Sequence, residues 1–284
     1  MKEPKNFYVL EVITFILFLL YLFPFYIVLV NSAKSAFDVT QAPMALPTDW
    51  NMILKNMQTI WTSDNIRYSS SFVSSIIITV CSLLTINVLS SQAAWVLVRN
   101  KTKTSQIIFY IFVAAMVIPF QIVMFPLLSW FRTVFDFTGL RLLRTYPGMI
   151  LSYLGFGLSL SIFMFHGFIK SIPYELEEAA TIDGCKQYQI FYWIISPILK
   201  PIHATVLVLN GIWIWNDFLL PLLILGKGNR VQTIPLAVAT FAGAFVKQWD
   251  LILTAILMSL IPVIIFFLIA QKHIIKGMVA GSIK

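Results

Sequence analysis

The sequence predicts an all-α, polytopic membrane protein with six transmembrane helices. Of its 284 residues, 59% are hydrophobic and only 11% are charged. A soluble domain is about a quarter charged and about half apolar. The mean hydropathy is +0.85. The apolar residues also fall into long runs with almost no charge, close to the roughly 20 residues that a helix needs to cross a hydrocarbon core about 30 Å thick. Backbone polar groups in lipid must be satisfied within their own segment, so these runs are helices. Together the observations exclude a soluble globular enzyme, a disordered chain and a nucleic-acid binder. The net charge of +8 does not change this, because the basic residues sit at the ends of the apolar runs, where membrane topology requires them.

The six predicted spans are residues 12–30, 72–98, 106–131, 145–165, 201–226 and 251–271, and only Asp217 interrupts the fifth. They form one unit covering residues 1–284. The first run is too long for the apolar region of a signal peptide, and no small-x-small cleavage site follows it, so it is a permanent helix flanked by Lys34. Residues 231–246 form a seventh uncharged run. At 1.5 Å per residue it reaches only about 24 Å, and it contains Pro235 and Gly243. We read it as a partly buried loop or re-entrant segment. Cys81 lies inside an apolar run and Cys185 in a polar loop, so no disulfide is implied.

Orientation follows from the short link between the second and third spans. It carries Arg99, Lys101 and Lys103 and no acid, which places it in the cytoplasm. Alternation then puts the N-terminus, residues 166–200 and the C-terminus inside as well. The overall basic bias is slight, so the short cluster decides.

The most informative stretch is residues 172–201, IPYELEEAATIDGCKQYQIFYWIISPILKP. Pro173 suits the first turn of a helix. Glu175, Glu177 and Glu178 follow where the helix dipole favours negative charge, and Gly184 suits the stop. The count gives about three turns. A second short helix follows, with Ile190, Phe191, Ile194 and Ile195 at helical spacing, stopping at Pro197. Ala179 and Ala180 make a small-residue face that another protein can approach closely. Physical reasoning alone weighs a docking helix equally against an amphipathic helix lying on the membrane.

The residues Glu178-Ala179-Ala180-x-x-Asp183-Gly184, followed by Phe191, Ile194 and Pro197, resemble the EAA loop of permease subunits of bacterial ABC importers. Trp215-Asn216-Asp217-Phe218-x-x-Pro221-Leu222 and the tail from Gln271 to Lys284 resemble the carbohydrate branch, in particular the second permease of maltose-type and multiple-sugar importers. Ile118-Pro119 and Tyr146-Pro147-Gly148 extend the likeness over nearly the whole chain. The chain departs from the pattern at Cys185, Ser196 and Val279. The resemblance implies a type I ABC importer permease in the bacterial cytoplasmic membrane. It implies a homologous second permease, two ATPase subunits and an extracytoplasmic solute-binding protein as partners, and a sugar as substrate. Glu178, Ala179, Ala180, Asp183 and Gly184 would dock the ATPase, with Glu178 as the charged contact and Gly184 allowing the turn. The segment 227–250, apolar at Val231, Ile234, Leu236 and Phe241, would reach toward the binding protein. Packing on the chain's own helices is the competing reading of that segment.

No Gly-x-x-x-x-Gly-Lys-Ser/Thr motif occurs, so ATP is expected on a partner subunit, and this chain is expected to be neither an enzyme nor a cofactor carrier. His166, His203 and His273 lie far apart at helix ends and read as solvated or interfacial groups rather than metal ligands. Polar residues inside spans are functional candidates by default. For Asn87 and Gln92 interhelical hydrogen bonding is the better reading. Asn210, Trp213 and Asn216 suit a sugar pathway, since aromatic faces and amides match C–H faces and hydroxyls. Asp217 reads as a loop anchor. The rivals are the same architecture carrying a non-sugar substrate such as glycerol phosphate, a secondary transporter, and, weakest, a membrane enzyme. No clear internal repeat or mid-membrane acid supports the secondary transporter, and no catalytic cluster supports the enzyme.

Overall fold

The structure is a computed structural model describing residues 5–64, 67–244 and 248–282, with side chains described at 8–64, 67–239, 242 and 248–268. Regular structure among the described residues is helical throughout, with no strand. The chain divides into two compact units, residues 1–69 with 237–262, and residues 70–236 with 263–284.

In the first unit, α1 (Lys5–Ser32) is apolar on all sides. Its side chains from Tyr8 to Phe25 are all exposed, as expected of a helix that faces lipid or a partner rather than its own chain. Burial begins at its C-terminal end. Helix ends leave carbonyls without intrahelical donors, and here polar side chains supply them. Asn56 of α3 (Met52–Thr62) donates to the Ser32 carbonyl at 2.9 Å, and Thr254 donates to the same oxygen at 3.2 Å. Lys34 does not reach for solvent. It is buried, and its ammonium donates to Asn31 Oδ1 at 3.1 Å and to the Ala42 carbonyl at 2.8 Å. Between α1 and α3, the short α2 (Ala36–Gln41) is capped by the Ser35 hydroxyl.

In the second unit, α4 (Tyr68–Arg99) runs unbroken from residue 70 to its last basic residue. The expected straight span at 106–131 is instead a broken pair, α5 (Lys103–Ala115) and α6 (Phe120–Thr138), bent by 108°. Pro119 lacks an N–H and disfavours helical geometry at Ile118. The chain before it tightens into i→i−3 turns, with Met116 N to Val113 O at 3.2 Å and Val117 N to Ala114 O at 3.1 Å. Gly139, at φ +70°, ends α6 in the left-handed region. Next, α7 (Tyr146–Ile169) starts at a Thr145 hydroxyl cap with Pro147 in its first turn. Gly148 is required there, because a Cβ would overlap the Leu142 carbonyl.

After α7 come α8 (Glu175–Ile182) and α9 (Gln187–Ile198), the latter wound as a π-helix over Ile190–Ile195. A 76° bend leads into α10 (Lys200–Asn216). The predicted stop at Pro197 is displaced, since Pro197 sits in a first helical turn and the chain bends at Leu199. The fifth predicted span also breaks at Asp217. Its carboxylate accepts from Leu219 N at 3.0 Å and so caps α11 (Leu219–Ile224), while the Tyr153 hydroxyl donates to it at 3.1 Å.

The seventh apolar run contains a short helix, α12 (Ile234–Ala244). Its start is pinned by Ile234 N donating to Ser75 Oγ at 2.8 Å, and Ile234 and Leu236 are fully buried. Leu236 and Val231 join the core built on Ile78, Ile86, Met149 and Tyr153. The apolar character of Val231, Ile234 and Leu236 is therefore satisfied by the chain's own packing, which corrects the expectation of a surface held for a binding protein. The Phe241 side chain lies outside the described residues. Last, α13 (Trp249–Ser282) runs beyond the predicted 251–271 and takes in most of the basic tail. Among the described residues, length and composition make four helices able to span alone, and up to six spans if α5 with α6 and α9 with α10 each count as one.

Candidate functional site

The loop between α7 and α10 folds into an anchored half and an exposed half. Three acids in the first turn of α8 complement its dipole. The helix has 8 residues, about two turns rather than three. Its stop is a Schellman arrangement, with Cys185 N donating to Ala180 O at 3.0 Å and Gly184 N to Thr181 O at 3.0 Å. Gly184 has φ +83°, and a Cβ there would meet nothing within 4 Å, so backbone conformation, not space, selects glycine. Cys185 packs beside the core cluster of Ile190, Phe191 and Ile195.

The anchored side is one the sequence did not disclose. Glu177 is buried, and Arg99 at the end of α4 donates its Nε to Glu177 Oε1 at 2.7 Å. The indole N–H of Trp95 donates to both carboxylate oxygens, at 3.2 and 3.1 Å. A second Arg99 nitrogen donates to the Ile172 carbonyl at 3.1 Å. The Arg99 guanidinium lies 5.6 Å from the Tyr174 ring centre, and Trp95 packs on Phe191 with ring centres 5.3 Å apart. Ala180 belongs to this side too. At 4% exposure it is covered by its own chain, which corrects the expected open Ala179–Ala180 face. Only Ala179 is open. A charge four residues beyond Trp95 on α4 was visible in the sequence, but nothing in it paired Arg99 with an acid 78 residues away.

Glu178, Ala179 and Asp183 are exposed on the other side. Ile182 stands beside them at 86% exposure. Tyr188 and Trp193 are exposed on α9. The short helix is thus rooted by a buried ion pair on one side and shows an acid, a small residue and a bare isoleucine on the other.

The polar residues of the bundle separate rather than converge. Asn210 is buried and donates to Ser161 Oγ on α7 at 3.0 Å and to the Val206 carbonyl at 2.9 Å. It is engaged in helix packing and does not join the surface expected of it with Trp213 and Asn216. Trp213 and Asn216 are exposed, the former edge-on to Tyr153 with centres 5.3 Å apart. Asn87 meets His203 Nδ1 at 3.0 Å, and Gln92 donates to the Tyr192 hydroxyl at 2.6 Å. His166 is buried and stacks on Phe109 with centres 3.7 Å apart. His166 and His203 are therefore packed groups, not solvated ones, because aromatic and amide neighbours take up their rings. The His273 side chain lies outside the described residues. Among the described residues, no group of three or more His, Cys, Asp or Glu is placed to hold a metal.

Residues 86–280 match the family described as binding-protein-dependent transport system inner membrane component. The chain is 41% identical over 278 residues to the probable starch degradation products transport system permease protein of Thermoanaerobacterium thermosulfurigenes, covering 98% of this chain and 97% of that one. It is 33% identical to the multiple sugar-binding transport system permease protein of Streptococcus mutans, across 100% of this chain and 99% of that one. It is 34% identical to the melibiose/raffinose/stachyose import permease protein of Bacillus subtilis, across 92% and 91%. Its fold matches a chain in the crystal structure of a bacterial ABC transporter involved in the import of the acidic polysaccharide alginate, at a TM-score of 0.77 and 22% identity, covering 96% of this chain and 99% of that one. Family membership sets aside the secondary-transporter and membrane-enzyme readings, and the chain belongs to the inner membrane components of binding-protein-dependent transport systems.

Proposed function

We propose that this chain is one of two permease subunits of an ATP-driven importer that carries a sugar or oligosaccharide across the bacterial cytoplasmic membrane by alternating access. The observation that carries the reading is the two-sided α8. Glu177, Arg99 and Trp95 root it in the bundle, and Glu178, Ala179 and Ile182 face outward. A separate ATPase subunit grips that outer face, with Glu178 as the charged contact. Its closure moves α8, and the ion pair carries the movement into α4. Transport then follows from a bundle with two arrangements, biased by contacts made in only one of them. Asp183 and Gly184 hold the turn that positions the second half of the loop. A second permease, a pair of ATPase subunits and an extracytoplasmic binding protein complete the assembly, and this chain holds no cofactor of its own.

Sugar as the substrate class is supported by the relatives named for starch degradation products, multiple sugars and melibiose/raffinose/stachyose. Trp213 and Asn216, both exposed on α10, would face it. The test is to purify the chain with its partners, reconstitute the complex in vesicles, and screen malto-oligosaccharides, raffinose-type sugars and glycerol phosphate for ATP hydrolysis that depends on the binding protein. Stimulation by an oligosaccharide is expected. Stimulation by glycerol phosphate alone would overturn the substrate class, and hydrolysis indifferent to every binding-protein ligand would overturn the importer reading.

A further inference from the structure

A cavity of about 760 Å³ opens where α4 and α7 end and α5 begins. It lies at an apolar–polar boundary by construction. Arg99 is the last residue of α4, Lys103 the first of α5, and Lys170 follows α7 directly. Its lining combines apolar Leu97, Val98 and Phe109 with the basic Lys101 and Lys170 and the polar Gln106. Both lysines are exposed, and among the described residues neither is in an ion pair. Arg99 also lines the cavity but is compensated by Glu177. Glu175 in the lining offsets one lysine, so the lining keeps a surplus of positive charge.

We propose that this cavity binds the headgroup of an anionic phospholipid. A lining that combines apolar and basic side chains favours a lipid over a free phosphate. Tyr110, also in the lining, is exposed at 65%, and Phe163 of α7, which stacks on Phe109 with ring centres 6.5 Å apart, at 47%. With Phe109 they offer apolar surface to an acyl chain, while Lys101 and Lys170 take the phosphate. Basic pockets between transmembrane helices at a cytoplasmic surface suit anionic headgroups, with each lysine near the surface contributing about a factor of five. The site goes beyond the importer reading and does not depend on the ATPase docking on α8.

The experiment titrates phosphatidylglycerol and phosphatidylcholine onto the full chain, purified with whatever subunits accompany it, and counts bound lipid by native mass spectrometry. Wild type should hold phosphatidylglycerol in preference to phosphatidylcholine. The double variant Lys101→Gln/Lys170→Gln should lose about 25-fold in affinity for phosphatidylglycerol. Lys186→Gln/Lys200→Gln, which removes two exposed lysines outside the cavity lining, should bind as wild type does. A parallel arm adds inorganic phosphate at millimolar concentration. Displacement of the lipid by phosphate would assign the site to a free anion and overturn the lipid. Equal retention of both lipids, or equal loss in the two double variants, would also overturn the proposal. Lipid binding is read without ATP or sugar, so failure here leaves the importer reading intact, and failure of that reading leaves this result standing.

Discussion

Two adjacent glutamates on α8 have opposite surroundings, and they should respond to mutation in opposite ways. Glu177 is buried against Arg99 and Trp95, whereas Glu178 is exposed. Removing one member of a buried pair leaves an uncompensated charge and costs about 3–5 kcal/mol. Glu177→Ala and Arg99→Ala should therefore lower the thermal stability of the purified chain, followed by tryptophan fluorescence or size-exclusion after heating. The swap Glu177→Arg/Arg99→Glu should recover part of the loss. Additive loss in the swap would show that the two side chains do not act as a pair. Glu178→Ala should leave stability within about half a kcal/mol, as surface substitutions do, while lowering ATPase co-purification and coupled hydrolysis. Gly184→Val should be worse than Glu178→Ala in the same assay, because a branched side chain disfavours φ +83° and the Schellman bonds that follow from it. Full coupling in both variants would sink the docking role. The glutamate doublet and the glycine were legible in the sequence. Which glutamate faces inward was not, because that depends on Arg99 arriving from another helix.

At the scale of elements, hydropathy located the helices well and their breaks poorly. Residues 12–30, 72–98 and 145–165 fall inside α1, α4 and α7, or within a residue of them, and the helix ends lie a few residues further out. The runs at 106–131 and 201–226 are as apolar as the others, yet both are interrupted, one before Pro119 and one at Asp217. Hydropathy sums over a window and is blind to a missing N–H or to a carboxylate that caps the next helix. The short run at 231–246 drew the opposite error. Its apolar residues were legible, but the use of three of them in the chain's own core was a tertiary fact. Gly148 sits so close to the Leu142 carbonyl that even a methyl group must displace backbone. Gly148→Ala should lower the midpoint of thermal aggregation by several degrees, as overpacking against backbone does. Gly155→Ala on the same helix, with open space at its Cβ, should not. Equal midpoints for the two variants would show that the turn relaxes freely.

The whole molecule must return to the side on which it started if the bent pairs each count as one crossing. α12 decides this, since a further crossing there would put the two ends on opposite faces. At 11 residues it spans about 16 Å, roughly half of a hydrocarbon core about 30 Å thick. Its first residues are spent on the protein core rather than on lipid, with Ile234 and Leu236 fully buried. Basic residues agree. Arg99, Lys101 and Lys103 crowd a link of a few residues, the setting in which positive charge fixes topology most strongly. Reporter fusions after residues 103, 229 and 284 should therefore read cytoplasmic, extracytoplasmic and cytoplasmic, with alkaline phosphatase active only at 229 and a fluorescent protein bright at the other two. A cysteine placed at 229 in the same background should label with a membrane-impermeant maleimide in intact cells, and one at 101 should label only after permeabilisation. Phosphatase activity at 284 with a cytoplasmic signal at 103 would mean that residues 231–246 cross after all, and the six-span topology would have to be abandoned.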